Sequence, residues 1–323
     1  MTTSPPQAAA ILVRGLRKTF PHGAKALDGL DLTVPAGGVH GLLGPNGSGK
    51  STTLRTLVGL LRADGGTMRI LDREVPDELT AVIDRVGVII EEPRFFPTMS
   101  ARTNLRLLGD AIGAPRERVA SALDQVGLTP HAGVTVRALS LGMKQRLAIA
   151  STLLKDPDVF IFDEPTNGLD PAGIHAVRAT IRTLADAGRT VLVSSHNLAE
   201  VQQMADTVSI IARGRLLHEG PVSGLIRGGA RVRVRLGSGW EDGATVQRGV
   251  TALEQAGYTV QADGDALYVS HAGRAVDPSA VARELGRVDV WPSELGSESA
   301  TLEDAFLALT DGAGLDRPEG SAA

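Results

Sequence analysis

Residues 44–52 read Gly-Pro-Asn-Gly-Ser-Gly-Lys-Ser-Thr and constrain this chain more than any other stretch. The pattern G-x-x-x-x-G-K-[ST] is a phosphate-binding loop when a strand precedes it and a helix follows. Both conditions are met, by an apolar strand over 39–43 and a helical pattern over 51–61. Gly44, Gly47 and Gly49 permit tight turns that bring backbone N–H groups onto phosphate oxygens. Pro45, Asn46 and Ser48 fill the loop between them. Lys50 is a point charge for the outer phosphates, Ser51 offers a hydroxyl to Mg²⁺, and Thr52 continues the helix. The helix N-terminus adds partial positive charge. A fold that presents such a loop is α/β, with a parallel-sheet core of the P-loop NTPase type.

The remaining motifs supply what a nucleotide site needs besides phosphate contacts. Residues 159–164 read Val-Phe-Ile-Phe-Asp-Glu, a buried strand with two acids at its carboxyl end, where open α/β sheets bind ligands. Asp163 is suited to hold Mg²⁺ and Glu164 to polarise an attacking water. Residues 190–193 form another apolar strand, which runs into Ser194-Ser195-His196. A strand-end histidine is most often structural, but His196 shares an edge with the two acids and so with a γ-phosphate. Asn197 and Glu200 read as a capping pair. Ser140 precedes an apolar helix and is well placed as an N-cap or, at a helix N-terminus, as a second phosphate contact. Asp170 before Pro171 is an N-cap on its own terms.

Two features have competing readings. Phe20 is a core aromatic or, in a chain with only 3% aromatics, a face for stacking adenine. Residues 86–90 form a buried strand ending in Glu91-Glu92-Pro93, which is either a solvated acidic turn or a loop facing the ligand.

Organisation follows the same reading. Residues 11–34 are β-rich, 68–75 read as one strand, and 100–155 carry only helical periodicity. Residues 208–218 read as a hairpin. The order βαββαβ over 230–292, with a turn at Asp263-Gly264 and a last strand over 288–291, suggests a small ferredoxin-like domain. The expected divisions are a nucleotide-binding domain over 1–226 with a helical part at about 94–155, an accessory domain over 227–310, and a flexible tail over 311–323. The net charge of −4 gives no nucleic-acid footprint, and the absence of cysteine excludes disulfides and thiol chemistry. No apolar run approaches the ~18 residues of a membrane span. The chain is expected to be cytoplasmic, and to need a spanning partner if it acts at a membrane.

These motifs together resemble the ATP-binding subunits of ABC transporters over residues 11 to about 225. Residues 44–52 resemble the Walker A motif, 159–164 Walker B, 139–145 the family signature and 167–170 the D-loop. His196 is similar to the switch histidine and Phe20 to the adenine-stacking aromatic. The resemblance implies ATP and Mg²⁺ as ligands and hydrolysis coupled to a membrane permease, with the chain peripheral at the inner face of the membrane. It also implies a head-to-tail pair of subunits in which Ser140, Gly142 and Met143 of one copy face the nucleotide held by Lys50 of the other, with Asp170 nearby.

Two motifs depart from the family pattern. Glu91 stands where relatives place Gln, and the signature reads Leu-Ser-Leu-Gly-Met rather than Leu-Ser-Gly-Gly-Gln. With the 301–306 run Thr-Leu-Glu-Asp-Ala-Phe, these resemble exporters for bacitracin, lantibiotic immunity and drug resistance. A carboxylate at position 91 accepts but does not donate, so it serves Mg²⁺ better than it orients water. Glu91→Gln is therefore expected to lower the dependence of turnover on Mg²⁺, read from Mg²⁺ titrations of the assembled transporter; an unchanged titration and turnover contradict this. Other readings remain: an ABC-type ATPase acting on ribosomes or DNA, or an ATP-binding regulatory module with poor hydrolysis. The first lacks both a basic face and, in one chain, the doubled ATPase unit or inserted coiled coil. A kinase or GTPase leaves the signature and His196 unexplained.

Overall fold

The computed structural model describes residues 9–90, 94–227, 231–236, 242–271, 276–298 and 301–311. Glu91 and the tail after 311 lie outside the described residues. The chain divides into two compact units, Met1–Glu219 and Gly220–Ala323.

The first unit opens with strands β1 (Ala9–Thr19) and β2 (Lys25–Pro35), then β3 (Gly38–Leu43) and helix α1 (Lys50–Leu57). β4 (Gly65–Ile70) and β5 (Arg73–Val75) follow, then α2 (Leu79–Val82) and β6 (Val86–Ile89). Three helices come next: α3 (Ala101–Ala111), α4 (Arg116–Gln125) and α5 (Leu141–Leu153). β7 (Val159–Asp163), α6 (Pro171–Asp186), β8 (Thr190–Ser195) and α7 (Leu198–Gln202) alternate as parallel-sheet crossovers require. β9 (Thr207–Ala212) and β10 (Arg215–Pro221) form the last hairpin, turning at Arg213 and Gly214, both at positive φ.

Two sheets result. One is antiparallel, in the order β2-β1-β4-β5; the other runs β10-β9-β3-β8-β7-β6, with parallel pairing from β9 through β6. One core joins them. Ile11, Val13 and Leu30 from the first sheet pack with Leu54 and Leu57 of α1 and with Ile161 and Leu192 of the second. β7 contributes Phe160 and Phe162, both fully buried, their ring centroids 5.7 Å apart. This near-continuous apolar run is what a strand covered on both faces demands.

Two expectations for this unit need correction. The helical pattern over 51–61 stops at Leu57. Gly59 adopts φ +75°, its N–H reaches Thr56 O at 3.1 Å and the Leu60 N–H reaches Arg55 O at 2.9 Å. That Schellman-type closure ends the helix although Leu60 and Leu61 keep the apolar pattern going. The single strand over 68–75 is a hairpin, because Leu71 (φ 48°) and Asp72 (φ 63°) form a two-residue turn of the type that matches strand twist.

His40 lies inside this core on β3, 2% exposed. Its Nδ1 is 2.8 Å from Thr207 Oγ1 and its Nε2 is 2.9 Å from Ser209 Oγ. Ser209 donates to Glu219 Oε2 at 2.9 Å, so its oxygen accepts from an Nε2–H tautomer. Burial lowers the His40 pKa from 6.5 to about 4. Between those values the unfolded chain takes up a proton that the folded chain refuses. Stability is therefore intact above pH 6.5, declines as pH falls through the window, and loses no more from this residue below 4. The full loss is about 3 kcal/mol. Denaturant midpoints from pH 7 to 4.5 measure the decline, and His40→Gln removes this part of it.

The second unit holds α8 (Val222–Arg227), β11 (Arg231–Arg235), α9 (Gly243–Gln255), β12 (Thr259–Asp263), β13 (Ala266–Ser270), α10 (Pro278–Arg287), β14 (Glu294–Glu298) and α11 (Leu302–Asp311). Its sheet is antiparallel in the order β12-β13-β11-β14. From β11 onward the order βαββαβ with this sheet is the split-βαβ, ferredoxin-like arrangement. Val232, Val234, Leu267 and Val269 meet Leu253, Val281 and Leu285 in its core. The last strand is Glu294–Glu298, not 288–291. Val290 is buried like a strand residue, but the N–H groups of Val288 and Val290 both close α10 on Leu285 O, with Asp289 at φ +58°. The hairpin turn falls on Gly264 and Asp265, one residue later than expected, since Asp263 still pairs with Ala266.

Candidate nucleotide site

Strand register gathers the site at one sheet edge. Leu43 pairs with Ser195 across β3 and β8, and Asp163 pairs with Ser194 across β7 and β8. The glycine-rich loop after β3, Glu164 after β7 and His196 after β8 therefore emerge side by side, while Asp163, the last residue of β7, does not line the cavity between them. They enclose a cavity of about 440 Å³ lined by Asn46, Gly47, Ser48, Gly49, Lys50, Ser51, Glu164, Asn167 and His196.

The loop is built tightly enough to dictate its glycines. A Cβ on Gly44 falls 2.3 Å from Ile211 O, and one on Gly49 falls 2.7 Å from Ala26 O. Gly49 also holds φ +108°. Ser48 Oγ is buried and has no hydrogen-bond partner among the described residues. A buried hydroxyl without a partner is costly. Lys50 is 6% exposed and folds onto the loop itself, donating to Gly44 O at 2.8 Å and Pro45 O at 3.3 Å. Its Nζ also lies 3.5 Å from Glu164 Oε1.

Glu164 links the three segments. It sits at φ +48°, a backbone region that L-residues rarely occupy. Its N–H is shared between Ser194 O (3.2 Å) and Ser194 Oγ (3.0 Å). Ser194 Oγ donates in turn to Asp163 Oδ1. The other Glu164 oxygen is 2.8 Å from His196 Nδ1. A carboxylate thus lies between a buried ammonium and an imidazole, facing the loop.

Other expected residues lie elsewhere. Ser140 is exposed and accepts from Met143 N at 3.2 Å as the cap of α5. Asp170 caps α6 by accepting from Gly173 N at 3.1 Å. Gly142 is buried against Gly173, where a Cβ falls 3.0 Å from the Gly173 Cα, so helix packing alone calls for glycine there. Phe20 stands 38% exposed where β1 ends. None of these lines the cavity. Thr52 is half-buried in the first turn of α1. Asn167, read from sequence only as the start of the D-loop, lines the cavity, and Ser194 was given no role. Asn167 carried a signal, since it follows Glu164 in the loop leaving β7; Ser194 became visible only through the strand register.

Comparison with known proteins decides what this edge belongs to. A family profile described as ABC transporter matches residues 27–167. The daunorubicin/doxorubicin resistance ATP-binding protein DrrA of Streptomyces peucetius is 38% identical, over all of this chain and 98% of its own. This chain belongs to the ATP-binding subunits of ABC transporters. The bacitracin transport ATP-binding protein BcrA of Bacillus licheniformis is 37% identical over 89% of this subunit and 93% of its own length. Among solved structures, cbiO1 of Clostridium perfringens, part of the cbiONQ transporter complex, superposes with a TM-score of 0.63 at 26% identity. The match covers 68% of this chain and 91% of that one. The ATP-binding cassette MJ0796, solved as a dimer in a post-hydrolysis state with ADP and Pi, gives 0.58 at 25% identity over 66% and 98%. As an ABC subunit the chain is an ATPase that binds ATP and energises a membrane permease. Among the described residues no helix is long and apolar enough to cross a membrane.

Proposed function

We propose that this ABC subunit hydrolyses ATP to export an antibiotic, peptide or other drug-like compound through a separate permease, from the cytoplasmic face of the membrane. The observation that carries this is the similarity to DrrA and BcrA along nearly the whole chain, including the second unit. In this reading the first unit, with its helical part at about 94–155, is the ATPase and the second is an accessory domain; the units divide after Glu219, shortly before the expected boundary at 226.

In this reading the loop N–H groups, the Ser48 hydroxyl and Lys50 bind the phosphates of ATP. Lys50 moves off Gly44 O and Glu164 to do so. Ser51 and Asp163 would hold Mg²⁺, which neutralises charge on the β- and γ-phosphates; a hydroxyl and one carboxylate suit an ion that keeps most ligands as water and phosphate. Glu164 takes a proton from the attacking water, and His196 both orients Glu164 and holds the γ-phosphate. Phe20 stacks on adenine. Ser140, Gly142 and Met143 reach the nucleotide from a second copy of the chain, beside Asp170; that they do not line the cavity of their own chain supports this. Glu91, which lies outside the described residues, would offer Mg²⁺ a carboxylate oxygen.

The test is transport. Inside-out vesicles holding this chain and its permease should accumulate an aromatic antibiotic with ATP and Mg²⁺, and not with a non-hydrolysable analogue. Uptake that is indifferent to hydrolysis contradicts the proposal.

A further inference from the structure

Strand register aligns the ends of β7 and β8, but Glu164 and His196 lie beyond those ends, where the Glu164 N–H still bonds back to Ser194 and the residues after it leave the sheet. Glu200, the third residue of the short helix α7, reaches both segments. One carboxylate oxygen accepts from the buried Thr166 hydroxyl, two residues after Glu164. The other accepts from Asn197 Nδ2 at 2.9 Å, one residue after His196. Glu200 is itself fixed, because its N–H donates to Asn197 Oδ1 at 3.2 Å and the Asn197 N–H donates to Ser195 Oγ at 2.9 Å. Helix capping explains the bonds to Asn197. It does not explain why the carboxylate spans to a buried threonine on the neighbouring loop.

We propose that Glu200 is a positioning residue, whose two oxygens clamp the loop carrying Glu164 to the loop carrying His196 and so set the geometry of that catalytic pair. The inference rests on the roles proposed above for Glu164 and His196. Neither Glu200 nor Thr166 lines the cavity that holds the phosphates. Loss of the clamp should therefore spare nucleotide binding and cost turnover, since a misplacement of about 1 Å is felt in the chemical step.

ATPase kinetics of the full-length chain with its permease test this, alongside nucleotide affinity by fluorescence titration. Glu200→Ala and Thr166→Val should each lower kcat by about tenfold or more while KM and ADP affinity stay within about twofold. Thr166→Ser, which keeps the hydroxyl, should restore kcat. The double variant should be no slower than Glu200→Ala, because Glu200→Ala already removes the one bond that Thr166→Val removes. The inference is overturned if either single variant keeps kcat within twofold, if affinity falls in step with kcat, or if Thr166→Ser fails to rescue. Thr166→Val and Thr166→Ser carry the test if Glu200→Ala does not fold. Glu164→Gln run in parallel separates the two levels. If it retains turnover, the assignment of Glu164 fails; if it abolishes turnover while Glu200→Ala does not, only the clamp fails.

Discussion

Glu164→Gln lowers ATP turnover by about 10²–10⁴-fold while ATP binding is kept or tightened. The amide keeps the shape of the side chain and loses its basicity, so it cannot take the proton of an attacking water. Its effect on binding has the opposite sign for an electrostatic reason. Glu164 Oε1 lies 3.5 Å from Lys50 Nζ, so the carboxylate competes with phosphate for the same cation. Removing that charge frees Lys50 and removes a repulsion from the γ-phosphate. Phosphate release under single-turnover conditions, with ATP affinity measured separately, checks both halves. A variant that loses binding in proportion to turnover speaks for damage to the loop rather than loss of a base.

Lys50→Ala weakens ATP binding on the order of a hundredfold, the change that about 2.7 kcal/mol produces. Lys50 is 6% exposed and its ammonium is held by two carbonyls and a carboxylate, so truncation to alanine removes a fixed, buried cation from the loop. The truncation also leaves Glu164 facing the phosphates without its cation, which adds to the loss. Equilibrium titration with ATP and ADP measures it, and circular dichroism shows whether the fold persists. The double variant with Glu164→Gln recovers part of the affinity, because the uncompensated carboxylate is then gone.

Much of this site was legible before any coordinates, for identifiable reasons. The loop at 44–52, the acids after residues 159–162 and His196 are local signals: residue types at fixed spacing beside apolar strands. Register between β3, β7 and β8 then brings them together, as the rule that ligands bind at strand carboxyl ends implies. The caps Ser140, Asp170 and Asn197 were equally local, and each side chain makes the expected bond. What sequence could not convey was long-range. Thr166 and Glu200 are 34 residues apart, and the His40 network joins residues 167 and 169 apart. The errors were local patterns overruled by backbone geometry. A left-handed pair at Leu71 and Asp72 split a strand, and a helix closure at Leu285 took the N–H groups that a strand over 288–291 needed.

The central claim is that each chain provides half of a composite ATPase site. Mixing two inactive chains tests it most directly. Lys50→Ala removes the phosphate cation of a chain's own loop, and Ser140→Arg blocks the face it offers to a partner. Each homogeneous sample is expected to be inactive, since every site carries a defect. In the mixed pair one site unites the intact loop of the Ser140→Arg chain with the intact signature of the Lys50→Ala chain. ATP hydrolysis should therefore reappear on mixing; a mixture as inactive as its components, under conditions where the unaltered chain hydrolyses ATP, contradicts the account.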